Sequence, residues 1–114
     1  MYGSSNLSVT SGLGIPERAW VHCVVTRDGN TIRMFQNGVL VATGDVTGLT
    51  MNDSSVSVII GSDGDTNYDL DGFVSNVRII KADIPTDYKT STTTVGEQVF
   101  TPPTAPLTLS LIHI

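Results

Sequence analysis

The stretch that decides the fold is TIRMFQNGVLVAT, residues 31–43. Both sides of Asn37-Gly38 carry β-branched and other apolar residues, which suit a pleated, half-buried strand. Asn-Gly tolerates the positive φ angles of a type I′ turn, and the twist of that turn matches the twist of the strands it joins. The stretch therefore predicts a β-hairpin with strands at residues 31–36 and 39–43.

Three further strands are predicted on either side of this hairpin. Residues 20–27 have apolar side chains at alternate positions on both faces, as an inner strand of a sandwich should. Residues 55–60 and 73–80 follow, separated by an acidic loop over residues 61–71. The lone Cys23 lies on the first of these strands and is expected to be a small buried apolar side chain.

The composition agrees with an all-β fold. Hydrophobic residues make up 39% of the 114 and charged residues only 15%, with Thr, Ser, Val, Gly and Asn recurring throughout. No segment of ten or more residues has an amphipathic helical pattern. We therefore predict an antiparallel β-sandwich.

Charge and hydropathy exclude two classes of partner. Eleven acidic residues against six basic ones give a net charge of −5, so binding to a nucleic-acid backbone would lack its electrostatic driving force. No apolar run reaches the roughly 20 residues that a helix needs to cross a bilayer, and the first residues do not form a signal peptide. We expect no nucleic-acid partner and no membrane insertion.

Several strings of residues resemble one known family. They are WVHCVVTR at 20–27, TIRMFQNGVLVATG at 31–44, IIG at 59–61, LDGFVSNVRI at 70–79 and FTPPTAPL at 100–107. Together they resemble the laminin G-like branch of the concanavalin A-like lectin and glucanase superfamily. The resemblance implies a jelly-roll sandwich, and its proline-rich closing segment is similar to modules of phage tail and other virion proteins.

In that family these strings belong to the second half of the jelly roll. The resemblance thus implies that residues 1–108 are a domain truncated at its N-terminus, with unpaired strand edges and an uncovered apolar face. Residues 109–114, LSLIHI, read as a translation of the transposon-end adapter used in sequencing libraries. We interpret them as a read-through tail; the alternative is an ordinary apolar C-terminal strand.

The acidic loop is the candidate site. Its oxygen-bearing side chains alternate along the chain, and crowded hard oxygen ligands are what Ca²⁺ prefers. They are Asp63, Asp65, Asn67, Asp69 and Asp71. An EF-hand is excluded, because its sixth position would be Tyr68 instead of Gly and its twelfth would be Val74 instead of Glu. Two interpretations stay open: a solvated acidic turn, and a Ca²⁺ site at Asp63, Asp65 and Asp69.

Tyr68 adds a second candidate role to the same loop. Carbohydrate sites pair an aromatic platform with hydrogen-bonding side chains, and here Asp63, Asp65, Asn67 and Asp69 surround Tyr68 in the sequence. The alternative is a loop tyrosine that packs over its own turn. Trp20 and His22 are expected to serve the fold.

No catalytic apparatus is evident. Glycoside hydrolysis needs two carboxylates across a sugar-binding cleft, whereas the only two Glu residues, Glu17 and Glu97, lie in predicted loops 80 positions apart. There is also no nucleophile elbow, phosphate-binding glycine loop or zinc-spaced Cys/His cluster. The chain is therefore not expected to be an enzyme.

The leading functional hypothesis is a carbohydrate- or surface-binding module of a larger virion or extracellular protein. Its partners would be a glycan or cell-surface receptor and the other domains of the parent protein. Two alternatives are a structural spacer and an accessory domain of a secreted glycoside hydrolase.

Overall fold

The fold is known from a computed structural model, which describes residues 9–50, 55, 57–62 and 68–105. These residues form a three-stranded antiparallel sheet in the order β1-β2-β3, with one turn of 3-10 helix at Thr86–Tyr88. The strands are β1 at Cys23–Asp28, β2 at Thr31–Gln36 and β3 at Val39–Asp45. The prediction of an all-β, antiparallel fold is confirmed.

The predicted hairpin turn is present. Asn37 and Gly38 both have positive φ, at 52° and 82°, as a type I′ turn requires. β2 spans the predicted residues, and β3 extends to Asp45. A register shift between Met34 and Phe35 marks a bulge in the β2–β3 ladder.

β1 begins at Cys23, three residues later than predicted. The Asn37 backbone N–H donates to the His22 carbonyl at 2.8 Å, but the His22 N–H donates to the Asn37 side-chain oxygen at 3.0 Å. A side chain thus replaces the backbone in one of the two bonds of this pair. The regular ladder ends there.

The core lies where the hairpin meets the chain returning from residue 96. Phe35, Leu40 and Phe100 are its buried members, and the ring centroids of Phe35 and Phe100 are 5.3 Å apart. Val24 and Tyr88 pack against them. The core therefore joins all three strands to residues far away in the sequence.

Residues 96–100, the return segment, pair with the hairpin turn and the first residues of β3. The Leu40 N–H donates to the Glu97 carbonyl at 2.9 Å, and the Gly96 N–H donates to the Leu40 carbonyl at 2.7 Å. The Val99 N–H bonds the Gly38 carbonyl at 2.8 Å. These bonds pair the backbone of Leu40, near the start of β3, with the return segment, so this part of the β3 edge is not left to solvent.

The prediction of a strand at residues 73–80 is wrong. No residue of that range is in a strand, and Phe73 and Ile79 are 86% and 71% exposed. The alternating pattern is there, but a strand needs a neighbour for its backbone groups, and no described strand lies beside this segment. The strand predicted at 55–60 is likewise not formed by residues 55 and 57–60, and Met51–Ser54 and Val56 lie outside the described residues.

The expectation that Cys23 is buried is also wrong. Cys23 is exposed, and Trp20 is 71% exposed. The face of β1 that carries Cys23 and Val25 has no covering layer among the residues that the structure describes, whereas Val24 and Thr26 on the opposite face are packed. The three described strands thus form one layer of the predicted sandwich.

Candidate functional site

The acidic loop is closed at its base. Ser62 and Asp69 form an antiparallel bridge, and the Leu70 N–H donates to the Gly61 carbonyl at 2.7 Å. Gly61 has a φ of 82°, which lets the chain turn into the loop. These contacts hold residues 61–62 and 69–70 together.

Asp63, Asp65 and Asn67 lie outside the described residues. Their convergence on a cation therefore stays a prediction. Tyr68 and Asp69 lie on the described side of the loop base, and both are exposed. Tyr68 is 74% exposed, so most of its ring faces solvent.

Elsewhere in the described part of the chain, no group of three or more His, Cys, Asp or Glu side chains could hold a metal ion. Asp71 is two residues past the bridge, and it too is exposed. Of the three residues predicted to bind Ca²⁺, Asp69 is the one that the structure describes.

His22 packs into the edge of the core. Its ring lies edge-on to Phe100 with centroids 5.8 Å apart, and 6.3 Å from the ring of Tyr88. Its Nδ1 atom is buried with no hydrogen-bond partner. Burial, and then the positive charge of Arg78, lower the pKa of His22 below its ordinary value. These contacts give His22 a structural position, in line with the role in the fold predicted for it.

The two Glu residues have different surroundings. Glu17 is exposed in the segment before β1. Glu97 accepts a hydrogen bond from the Thr92 hydroxyl, and its backbone carbonyl binds β3 through Leu40. Glu97 therefore has structural contacts with Thr92 and with β3.

A surface that the sequence analysis did not single out is an open groove along β1. It encloses about 1890 Å³ and is lined chiefly by residues 15–27 on one side and 70–85 on the other. Exposed apolar side chains line it, namely Trp20, Val25, Phe73 and Val77. The alternating pattern of these residues in the sequence predicts buried strands, so the sequence gives no signal of a groove.

These features define a class of protein: an all-β domain organised around a tight hairpin. A laminin G-type family model, described as the concanavalin A-like lectin/glucanases superfamily, matches residues 1–84. The chain therefore belongs to this superfamily, as its sequence resemblance implied. No curated protein and no solved structure was found to match it.

The family match and the fold support a β-sandwich of lectin type. The match includes residues ahead of residue 20 and ends before the proline-rich segment at 100–107. Within the described ranges, no helix has the length and apolar character to cross a membrane.

Proposed function

We propose that this chain is a non-catalytic module that binds carbohydrate or a glycosylated surface on behalf of a larger protein. The observation that carries the proposal is the exposed Tyr68 ring beside Asp69, at the closed base of an acidic loop. Membership of a lectin-containing superfamily supports it. The proposed ligand site comprises Asp63, Asp65, Asn67, Tyr68 and Asp69.

The chemistry of these side chains suits a sugar. An aromatic ring packs against the apolar C–H face of a pyranose, while carboxylate and amide groups bond its hydroxyls. The Ser62–Asp69 bridge favours binding, because a loop held at its base loses less conformational entropy when a ligand orders it.

Ca²⁺ is the proposed cofactor of this loop. Asp63, Asp65 and Asp69 would supply hard oxygen ligands, and a cation would offset the repulsion between their charges. Titration calorimetry at millimolar Ca²⁺ tests this, with Asp69→Asn expected to weaken binding and Asp28→Asn, an exposed carboxylate on β1, expected to leave it unchanged. An absence of heat in the unmodified chain would eliminate the cation site.

A glycan array tests the function. We expect binding to a subset of glycans, loss of that binding in Tyr68→Ala and retention in Tyr68→Phe, because phenylalanine keeps the ring. Phe73→Ala is the matched control, since Phe73 is an exposed aromatic residue outside the loop. Equal binding by Tyr68→Ala and the unmodified chain would contradict the proposed site.

A structural spacer is the main competing function, and a spacer should bind no glycan on the array. The genomic context separates the remaining proposals. A reading frame that continues into tail-fibre sequence supports a virion module, whereas a neighbouring catalytic domain supports an accessory domain of a secreted glycoside hydrolase. Either context agrees with the proposed virion or extracellular location.

A further inference from the structure

Asn37 and Gly38 form the only Asn-Gly pair in the chain. An asparagine that precedes glycine is especially prone to spontaneous deamidation, because glycine has no side chain to hinder attack by its own backbone nitrogen. Asn37 is exposed, so water reaches its side chain. Asn76 is also exposed and also has a positive φ, at 55°, but the branched side chain of Val77 hinders the same attack there. The hairpin turn is therefore the place where this chemistry is favoured.

Deamidation passes through a succinimide ring. The backbone nitrogen of Gly38 attacks the Cγ atom of Asn37, a C–N bond forms, and the carboxamide nitrogen leaves as ammonia with the proton that the Gly38 nitrogen gives up. Water then opens the ring. Opening at Cγ gives aspartate, whereas opening at the backbone carbonyl gives isoaspartate, in which the main chain runs through Cγ. The reaction transfers no electrons and needs only water.

The folded turn opposes ring closure. The Asn37 side-chain oxygen accepts a hydrogen bond from the His22 N–H at 3.0 Å, and the Asn37 N–H donates to the His22 carbonyl at 2.8 Å. The other side of the turn is held as well, because the Gly38 carbonyl accepts from the Val99 N–H at 2.8 Å. Closing the ring rotates the peptide between Asn37 and Gly38 out of the type I′ conformation and draws the side chain toward Gly38. The hairpin must therefore open locally before Asn37 reacts.

The isoaspartyl product does not fit the same turn. Gly38 is buried against the return segment, where a Cβ atom would lie 1.8 Å from the Phe100 carbonyl oxygen and 2.7 Å from the Gln98 Nε2 atom. Isoaspartate lengthens the main chain by one carbon–carbon bond, about 1.5 Å. Because packed groups at these distances have no free space to absorb such a shift, Gly38 and the return segment must separate.

We propose that Asn37 is a deamidation site that the folded hairpin protects, and that its isoaspartyl form releases the return segment from the turn. Protection arises because the reaction requires local opening. Release weakens the core too, because Phe100 of the return segment packs there with Phe35 and Leu40. Deamidation thus converts a transient opening of the hairpin into a lasting loss of stability, and it does not depend on the proposed sugar site.

Deamidation rates in the folded and the unfolded chain test the protection. The full chain is incubated at mildly alkaline pH with and without urea, and asparagine, aspartate and isoaspartate at position 37 are quantified by chromatography and mass spectrometry of its peptides. We expect Asn37 to react at least about tenfold more slowly without urea, because opening the turn breaks a hydrogen bond and the Gly38 contacts. Asn76 reports any effect of urea on the chemistry itself. Equal rates at Asn37 after this correction would overturn the protection.

Two substitutions at His22 isolate its hydrogen bond to Asn37. His22→Pro removes the N–H that holds the side chain, whereas His22→Ala keeps this N–H and loses the same ring contacts with Phe100. Without urea, Asn37 is expected to react about fivefold faster in His22→Pro than in His22→Ala. Equal rates in the two folded variants would contradict the role of this bond, and the urea comparison in the unmodified chain tests the protection even if His22→Pro does not fold.

Urea denaturation of the separated products tests the release. Asn37→Asp is the matched control, because its carboxylate still accepts the His22 N–H and its main chain keeps the original length. The folding equilibrium constant of the isoaspartyl chain is expected to be at least about tenfold lower than that of Asn37→Asp. The N–H groups of Val99 and Phe100 should also exchange faster with deuterium, since they lose their bonds to Gly38. Equal stability and equal exchange in the two proteins would rule out the release.

Discussion

Gly38 and Phe100 meet so closely that no other residue fits at the hairpin turn. A Cβ atom on Gly38 would lie 1.8 Å from the Phe100 carbonyl oxygen. The Val99 and Phe100 N–H groups both donate to the Gly38 carbonyl, at 2.8 and 3.3 Å. The turn that reverses the hairpin is therefore also the point at which the return segment attaches.

Gly38→Ala is expected to destabilise the fold through two effects. The φ of 82° at position 38 strains any residue that has a side chain. The methyl group of alanine must also displace the Phe100 backbone. We expect a loss of about 2–4 kcal/mol in the free energy of unfolding, measured by urea denaturation.

Gly48→Ala isolates the contribution of the contact. Gly48 has a similar φ of 77°, but nothing lies within 4 Å of an added Cβ. This variant should therefore lose only the strain, about 1 kcal/mol. Equal losses in the two variants would show that Phe100 does not restrict the turn.

The hairpin was predictable from the sequence because the residues that determine it are adjacent in the chain. Asn37-Gly38 selects the turn, and the residues on either side follow a strand pattern. The docking of residues 96–100 was not predictable, because Glu97 and Leu40 are joined by backbone groups that every residue type has. Only tertiary structure reveals that pairing.

Leu40→Ala is expected to cost about 2–5 kcal/mol of unfolding free energy, because truncation leaves a cavity between Phe35 and Phe100. Leu40 is fully buried. Val95→Ala, at a position that is 58% exposed, should change stability by less than about 0.5 kcal/mol. Urea denaturation compares the two, and a similar loss in both would contradict the position of the core.

The Arg33 side chain links β2 to a segment outside the sheet, at Thr92. It is only 5% exposed, and its Nε donates to the Thr92 carbonyl at 2.7 Å. Arg33→Ala removes this bond and the packing of a long aliphatic stem, so we expect a loss of about 2–3 kcal/mol in urea denaturation.

Arg27→Ala is the matched control for Arg33. Arg27 also bonds backbone carbonyls, those of Gly29 and Leu49, but it is exposed. Water replaces those bonds readily, and the expected loss is below about 1 kcal/mol. A larger loss in Arg27→Ala than in Arg33→Ala would show that the Thr92 contact adds little.

The candidate site was predictable only in part. The alternating acids identified the loop, and the structure places Tyr68 and Asp69 at its base. The groove along β1 was not anticipated, because the same alternating pattern fits both a buried strand and an exposed segment without strand pairing. The spacing of apolar residues such as Phe73 and Val77 indicates which face of the segment is apolar, but it does not indicate what packs against that face.

The lowered pKa of His22 predicts that the free energy of unfolding decreases in mild acid. Burial of the ring, with Arg78 nearby, lowers the pKa of His22 in the folded state, so the unfolded chain binds the proton more readily. The stability that the neutral His22 ring contributes is complete above its pKa in the unfolded chain, about 6.5. This contribution is lost as the pH falls from there toward the pKa of His22 in the folded chain. Urea denaturation between pH 8 and pH 5 should show this decrease.

Two variants separate His22 from the other titrating groups. His22→Gln should flatten the stability profile near pH 6.5 relative to the unmodified chain. Arg78→Gln keeps the imidazole but removes the nearby charge, so the pKa of His22 should rise toward its ordinary value in an NMR titration. A midpoint at or above about 6.5 for His22 in the unmodified chain would contradict its packing against Tyr88 and Phe100.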